Sequence, residues 1–415
     1  MRNTRRSFIA VLAAASVGLA GCDDFLEVTD TGNLETDAID PLADARTLAY
    51  SAQQNFFDAY GDAIVYDAWF TNAARVGDTF PTRNEFGRRE VQDAGNGDLN
   101  GYWNNLQRAV ASAEGVIRAL EGNVSDLNLA RAYVISGFSI ILMAEQFCEG
   151  TIAVSETEPG PRLTTQQLLQ RAIERLTAGE QLAASLSGAE AGTLTNAARV
   201  GIGRAQLQLG QKQLAAEAVA DVPDDFVWNA IYIDDPSNRG RLGNNVWSFS
   251  ESRISLVVGP EFRAMADAGD TLRIRYTDMG RNAQDGELRF YRQEKFPAWN
   301  SPIPIASGLE ARYIEAEAGT MADQLALINE RREANGFGNF SSADPAAVLA
   351  ELMEQRTRDF WLEGKRTGDL RRNGSAVPYV LPPGEYYKPA LGPVGNQTCL
   401  PVPITEKNNN KNWAD

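Results

Sequence analysis

Histidine is absent from all 415 positions of this chain. With it go Ser-His-Asp and Cys-His activation of a nucleophile, imidazole general bases, and the commonest ligands for zinc and iron. Carboxylate chemistry survives this filter, because a glycosidase needs only two Asp or Glu at a suitable separation and the chain has 55 acidic residues. Positive charge is also scarce, and no Lys/Arg stripe with interleaved aromatics occurs, so nucleic acid is excluded as a partner. Cysteine is limited to three positions. No EF-hand spacing exists among the acidic loops, Asp234 and Asp235 included, so neither a metal nor a cofactor is expected.

The first of those cysteines, Cys22, closes a stretch of definite character. Arg2, Arg5 and Arg6 precede an apolar run over 8–20, and Leu19, Ala20 and Gly21 lead into Cys22. The run is well short of the roughly 20 apolar residues that span a bilayer, so it reads as a signal h-region. Small residues ahead of the cysteine suit a lipoprotein peptidase, which makes 1–21 a signal peptide and Cys22 the lipidation site. Loss of those three arginines leaves 36 basic residues against 55 acidic ones, a mature net charge of −19. Cys148 and Cys399 then remain, an even number in an oxidising compartment, and either a disulfide between them or two buried thiols would account for them.

Residues 22–40 read as an acidic tether, and 41–415 as a single domain in four stretches. Over 41–222 apolar residues recur at helical spacing. One helix begins where Asp40 caps and Pro41 takes the first position, through Ala45, Ala49, Ala52, Phe56 and Phe57. Others run through Leu99, Trp103, Leu106 and Val110, and from about Ser125 to Phe147, the latter apolar on much of its circumference and therefore central. Thr164 with Gln167 forms a capping box, and Gly210 separates two helices whose small residues suit a tetratricopeptide-like hairpin. Plain antiparallel helices fit the pattern equally. Over 223–308 turn residues and period-two segments predict a loop-rich insertion with a small β-hairpin, Leu272, Ile274 and Tyr276 on one strand, Leu288 and Phe290 on the other. C-terminal helices follow over 309–372, and a tail held by packing over 373–415.

The densest charge pattern spans 354–372, with Glu363, Arg366, Asp369 and Arg371 beside Phe360, Trp361 and Leu362. If a helix continues through it, Glu363 and Asp369 each lie one turn from Arg366. That describes an ion-pair network of about 0.2–0.5 kcal/mol per exposed pair, a structural device and no catalyst.

The same segment resembles the C-terminal signature of the SusD/RagB proteins, roughly E-R-R-x-E-L-x-x-E-G-x-R-x-x-D-L-R-R. Other stretches agree in order: 22–28 (CDDFLEV) with the mature start, 102–106 (YWNNL) and 130–133 (ARAY) with two early helices, 316–318 (AEA), 327–334 (LINERREA), and 400–406 (LPVPITE) with the closing L-P-I-P-x-x-E. The set covers the chain from Cys22 nearly to its end. Lys365, Thr367 and Gly368 depart from the pattern where His and an aromatic pair are common, and the variable middle is short.

The resemblance implies a mostly α, tetratricopeptide-like scaffold, lipid-anchored on the outer membrane and facing the cell surface. Such a protein passes an oligosaccharide or peptide to a SusC-like TonB-dependent transporter without breaking a bond. Sugar capture needs flat apolar faces and fixed polar atoms. Tyr66, Asp67, Trp69, Phe70, Asn72 and Arg75 cluster where such proteins often build their cargo surface, and Asp67, Trp69 and Arg75 are the candidate ligand residues. The competing reading is a core tryptophan with satisfied neighbours. Trp247 and Trp299 stand in irregular segments as weaker candidates, while Trp103 and Trp361 fall in helical patterns as packing. A helical-repeat envelope scaffold and a carboxylate glycosidase are the functional alternatives.

Overall fold

The computed structural model describes residues 40, 42–155 and 157–413. The signal peptide, Cys22, Pro41 and all of the tether except Asp40 lie outside the described residues. Helix α1 (Ala45–Phe70) starts with Asp44 in the N-cap position, later than the Asp40–Pro41 pattern suggests. Strand β1 (Arg75–Val76) and helix α2 (Pro81–Arg88) lead to α3 (Gly97–Leu120), whose cap Asn96 accepts from Leu99 N at 2.9 Å. Helix α4 (Leu127–Gln146) is capped by Asp126, and it is long and apolar enough to cross a membrane. It is buried along nearly its whole length, as the central helix of a core.

Short strands β2 (Glu149–Gly150) and β3 (Leu163–Thr164) pair ahead of α5 (Thr165–Ala184), where Thr164 and Gln167 form the expected capping box. Helix α6 (Ala189–Gln208) follows, then a turn at Gly210, whose φ of +76° only glycine adopts at little cost, and α7 (Lys212–Val219). Successive helices pack on one another, α1 on α3, α3 on α4, α4 on α5, α5 on α6 and α6 on α7. Close approach requires small side chains: a Cβ at Gly201 would lie 2.8 Å from Leu176 and 3.0 Å from Phe138, so any larger residue would push α6 off α4 and α5.

The 223–308 stretch returns strands to this stack. Strand β4 (Val227–Ala230) pairs antiparallel with β8 (Ile303–Ser307), and β5 (Leu256–Val257) with β1. Helix α8 (Pro260–Asp267) lies before a hairpin of β6 (Tyr276–Asn282) and β7 (Arg289–Gln293). The hairpin exists but its first strand begins at Tyr276, later than the alternation through Leu272 and Ile274 suggests. Leu272 is exposed, while Arg273 is buried in ion pairs with Asp270 at 2.7 Å and Asp359 at 3.4 Å. Those charges hold 270–274 as a turn against the C-terminal helices.

Helices α9 (Gly308–Ala318), α10 (Met321–Ala334) and α11 (Pro345–Asp359) build a second small core around Tyr313, Ile328, Val348 and Leu352. The signature then departs from the continuous helix of the sequence reading. Leu362 and Gly364 take φ of +58° and +69°, ending the helix, and α12 (Arg366–Asn373) starts afresh. The network is buried, and Arg366 forms neither of the one-turn pairs with Glu363 and Asp369 that the spacing suggests. Glu363 accepts from Lys295 at 2.7 Å, Asp369 binds Arg356 and Arg372, and Arg366 donates to Thr357 and the Pro378 carbonyl. Arg371 Nη1 donates to the carbonyls of Glu145 and Phe147, filling the open C-terminus of α4 where cations are favoured.

The tail is fixed by a Cys148–Cys399 disulfide with Cα atoms 5.1 Å apart. Leu400 N donates to Gln146 O at 2.7 Å beside it, and α13 (Ile404–Asn409) closes the described chain against α3 through a hydrogen bond from Trp103 Nε1 to Glu406.

Candidate functional site

The three residues singled out at 67–75 are in the core. Asp67 accepts from both the backbone and hydroxyl of Thr367 at 2.7 Å, and burial raises its pKa to about 6 against those bonds and Arg366. Trp69 is wholly buried, edge-on to Tyr66 and Phe249 with ring centroids 5.8 and 5.2 Å away. Arg75 pairs with Glu261 and stacks 4.4 Å from the Tyr387 ring centroid. The C-terminal half of α1 is enclosed on all sides, so none of the three offers a surface to a ligand. The core reading of Trp69 describes what these neighbours do.

A cluster of hydrogen-bonded polar side chains, the furrow, lies instead along the other side of α1. Asn55, Asp58 and Asp62 recur at i, i+3 and i+7, which places them on one face of the helix. Helix α3 contributes Asn105, Arg108 and Ser112 from the facing side, and the irregular segment 238–253 contributes Arg241 and Asn245. Asn105 and Asn245 both donate to Asp62, at 2.7 and 2.9 Å, and Arg108 donates to Asp58 at 2.7 Å. Arg241 donates to the Asn55 carbonyl at 2.9 Å. Gly61 permits this approach, since a Cβ there would stand 3.2 Å from Asn245 Cβ.

Burial raises the pKa of Asp62 to about 7, with neighbouring Asp58 adding to the shift and the Asn105 bond, Arg253 and Arg108 opposing it. Burial likewise raises Asp58 to about 6, against Arg108 and Arg241. The floor is thus a carboxylate that changes charge near neutrality, flanked by two amides whose carbonyl oxygens have no donor among the described residues. The rim carries three exposed arginines, Arg108, Arg241 and Arg253. Acceptors below and donors above match the alternating demands of vicinal hydroxyl groups.

Two half-buried tryptophans are tied to the same segment. Asn244 Oδ1 accepts from Trp247 N at 3.0 Å, and the Asn244 backbone N–H donates to the Trp299 carbonyl at 2.8 Å, so one fully buried residue holds both. Arg292 sits 5.1 Å from the Trp247 ring and Arg239 5.2 Å from that of Trp299. Trp103 and Trp361 are buried packing residues, Trp103 within α3 as its helical spacing suggests and Trp361 in the turn beyond the end of α11.

Sequence reasoning passed over Asn55, Asp58 and Asp62, although polar residues at helical spacing within an otherwise apolar helix are a usable signal. Asn244 and Asn245 left none, because their role depends on partners far away in the chain.

No family model matches this sequence. No curated protein matches it either. Solved structures do. A SusD/RagB family protein from Bacteroides thetaiotaomicron VPI-5482 is 14% identical, with a TM-score of 0.67 over 89% of this chain and 94% of that one. A laminarin binding SusD-like protein is 13% identical, with a TM-score of 0.68 over 89% and 98%. Surface glycan-binding protein A from Bacteroides thetaiotaomicron is 14% identical, with a TM-score of 0.68 over 89% and 97%. The chain has the SusD-like fold, mostly helical with small two-stranded sheets.

Proposed function

We propose that this SusD-like chain is a surface glycan-binding lipoprotein of the SusD/RagB family. Anchored through Cys22 on the outer membrane, it captures an oligosaccharide and presents it to a SusC-like TonB-dependent transporter. One observation carries the reading: Asp62, Asn105 and Asn245 offer a fixed set of hydrogen-bond acceptors beneath an arginine rim, with Trp247 and Trp299 tied in beside them. Two of the structural neighbours are named for glycan or laminarin binding, which supports the same ligand class. Binding requires no bond to break, and the chain has no histidine to assist one.

The test is calorimetric titration of the mature protein with neutral and acidic oligosaccharides and with peptides, repeated on Asn105→Ala/Asn245→Ala. Sugar binding that the double variant loses supports the reading. Binding confined to peptides would leave the transport role and replace the ligand. Cys22→Ser, followed by membrane fractionation and surface proteolysis, tests the anchor and its leaflet, and co-purification from the native envelope tests the transporter.

A hydrolytic alternative rests on the raised pKa values of Asp58 and Asp62, the property a general acid needs. Asp58 is held by Arg108 and only 6% exposed, which leaves one carboxylate facing the furrow and no second to complete a pair. Release of reducing ends that stops in Asp62→Asn would establish the hydrolase instead.

A further inference from the structure

Helix α3 serves the furrow with Asn105, Arg108 and Ser112, but a second concavity borders its first turns on a different side. This cavity, of about 560 Å3, lies between α3, the loop at Pro159 and the C-terminal helix α13. Asn104 and Asn105 are consecutive, so their side chains leave the helix about 100° apart, one toward each site.

Four asparagines line the cavity: Asn100 and Asn104 from α3, and Asn409 and Asn410 at the end of α13. Two are structural. Asn100 accepts from Thr405 at 2.6 Å, and Asn410 donates to Glu406 and to the Gly160 carbonyl, each at 3.0 Å. These bonds fix the walls. Asn104 and Asn409 are exposed and their amides bond to nothing among the described residues, leaving a donor and an acceptor on each facing the concavity's solvent.

The chemistry of the lining selects the ligand. No lysine or arginine borders the cavity, so an anion gains nothing there. Glu406 is the one acid, and its two oxygens are taken by Trp103 and Asn410, so a cation finds no free carboxylate oxygen pair. Trp103 is buried, and half-buried Pro159 is too small an apolar face for a lipid or a hydrophobic side chain, though it offers one for the C–H groups of a sugar ring. What remains is neutral hydrogen bonding by amides, which both give and accept as a sugar hydroxyl does.

We propose that this cavity is a second ligand site that takes an uncharged polyhydroxylated unit, with Asn104 and Asn409 as its contact residues. It is separate from the furrow, and with it would give one helix two points of attachment on a single long glycan. Two weak contacts on one rigid body raise avidity without any new interface. The ligand class shares its basis with the proposed function, but the site does not depend on the furrow.

Hydrogen exchange on the mature protein, titrated with maltohexaose, laminarihexaose and xylohexaose, separates the two. A binding sugar is expected to protect 98–104 and 404–410 in the wild type and equally in Asn105→Ala/Asn245→Ala. Asn104→Ala/Asn409→Ala, both at exposed positions, is expected to weaken that protection about tenfold and to leave protection at 55–62 and 241–247 in place. If millimolar sugar protects the furrow alone, or if none of the three protects 404–410, the second site is wrong. Protection at 404–410 with none at the furrow would uphold this site and overturn the furrow as the primary one.

Discussion

Asn245 donates a 2.9 Å hydrogen bond to Asp62 from 183 residues further along the chain. That single contact joins the irregular segment to the first helix and closes one side of the furrow. Replacing Asn245 with Ala is expected to weaken oligosaccharide binding by about 1–2 kcal/mol, roughly 5- to 30-fold, because it removes both a ligand acceptor and the bond that orients Asp62. Titration calorimetry reads this directly, and unchanged affinity would mean that the ligand sits elsewhere.

The raised pKa of Asp62 gives binding a pH dependence with a definite sign. Below about pH 7 the carboxyl is neutral, and above it the anion accepts stronger, charge-assisted bonds from sugar hydroxyls. Affinity should therefore rise between pH 5.5 and 8.5 in the wild type and stay flat in Asp62→Asn. Stability runs the opposite way. A carboxyl raised from 3.8 stabilises the fold fully below its unfolded pKa, and that contribution fades as pH climbs through about 7. Denaturant melts of the two proteins should converge at low pH and separate near pH 8, with the variant the more stable by about 1–3 kcal/mol.

Trp247 and Trp69 should separate stacking from packing. Trp247→Ala is expected to lower sugar affinity by about 1–2 kcal/mol with a small change in stability. Trp69→Phe should cost about 1–3 kcal/mol of stability from its void and leave affinity unchanged. Reversal of the two results would return the binding surface to the 67–75 cluster.

Arg356 and Asp369 are 3% and 4% exposed and meet at 2.9 Å. Asp369→Asn should cost about 3–5 kcal/mol because it leaves Arg356 and Arg372 short of a buried counter-charge. Arg356→Met/Asp369→Asn should cost less than the sum of the single changes. Additive losses in thermal melts would show that the two act independently.

Much of the frame was legible because it rests on local rules. The apolar spacing through Ala49, Ala52 and Phe56, the Thr164–Gln167 box and the turn at Gly210 each depend on residues a few places apart, and each forms as that spacing requires. The signature was legible as structural, but not in its pairing. Glu363 finds Lys295 and Asp369 finds Arg356, because Leu362 and Gly364 break the helix that one-turn spacing assumes. The site was the least legible. Trp69 and Trp247 look alike in sequence, and only the closure of distant segments around the first decides which of them meets solvent.

The Cys148–Cys399 bridge should be worth about 2–5 kcal/mol, seen as a drop in melting temperature on reduction or in Cys148→Ser/Cys399→Ser. Equal melts with and without reductant would show that packing alone seats the tail.

The bridge spans 251 residues, so it encloses most of the folded body in one covalent ring. Ending the chain ahead of Cys399 would thus do more than remove a tail: it would unhook the covalent loop and free the carbonyl of Gln146 at the same stroke.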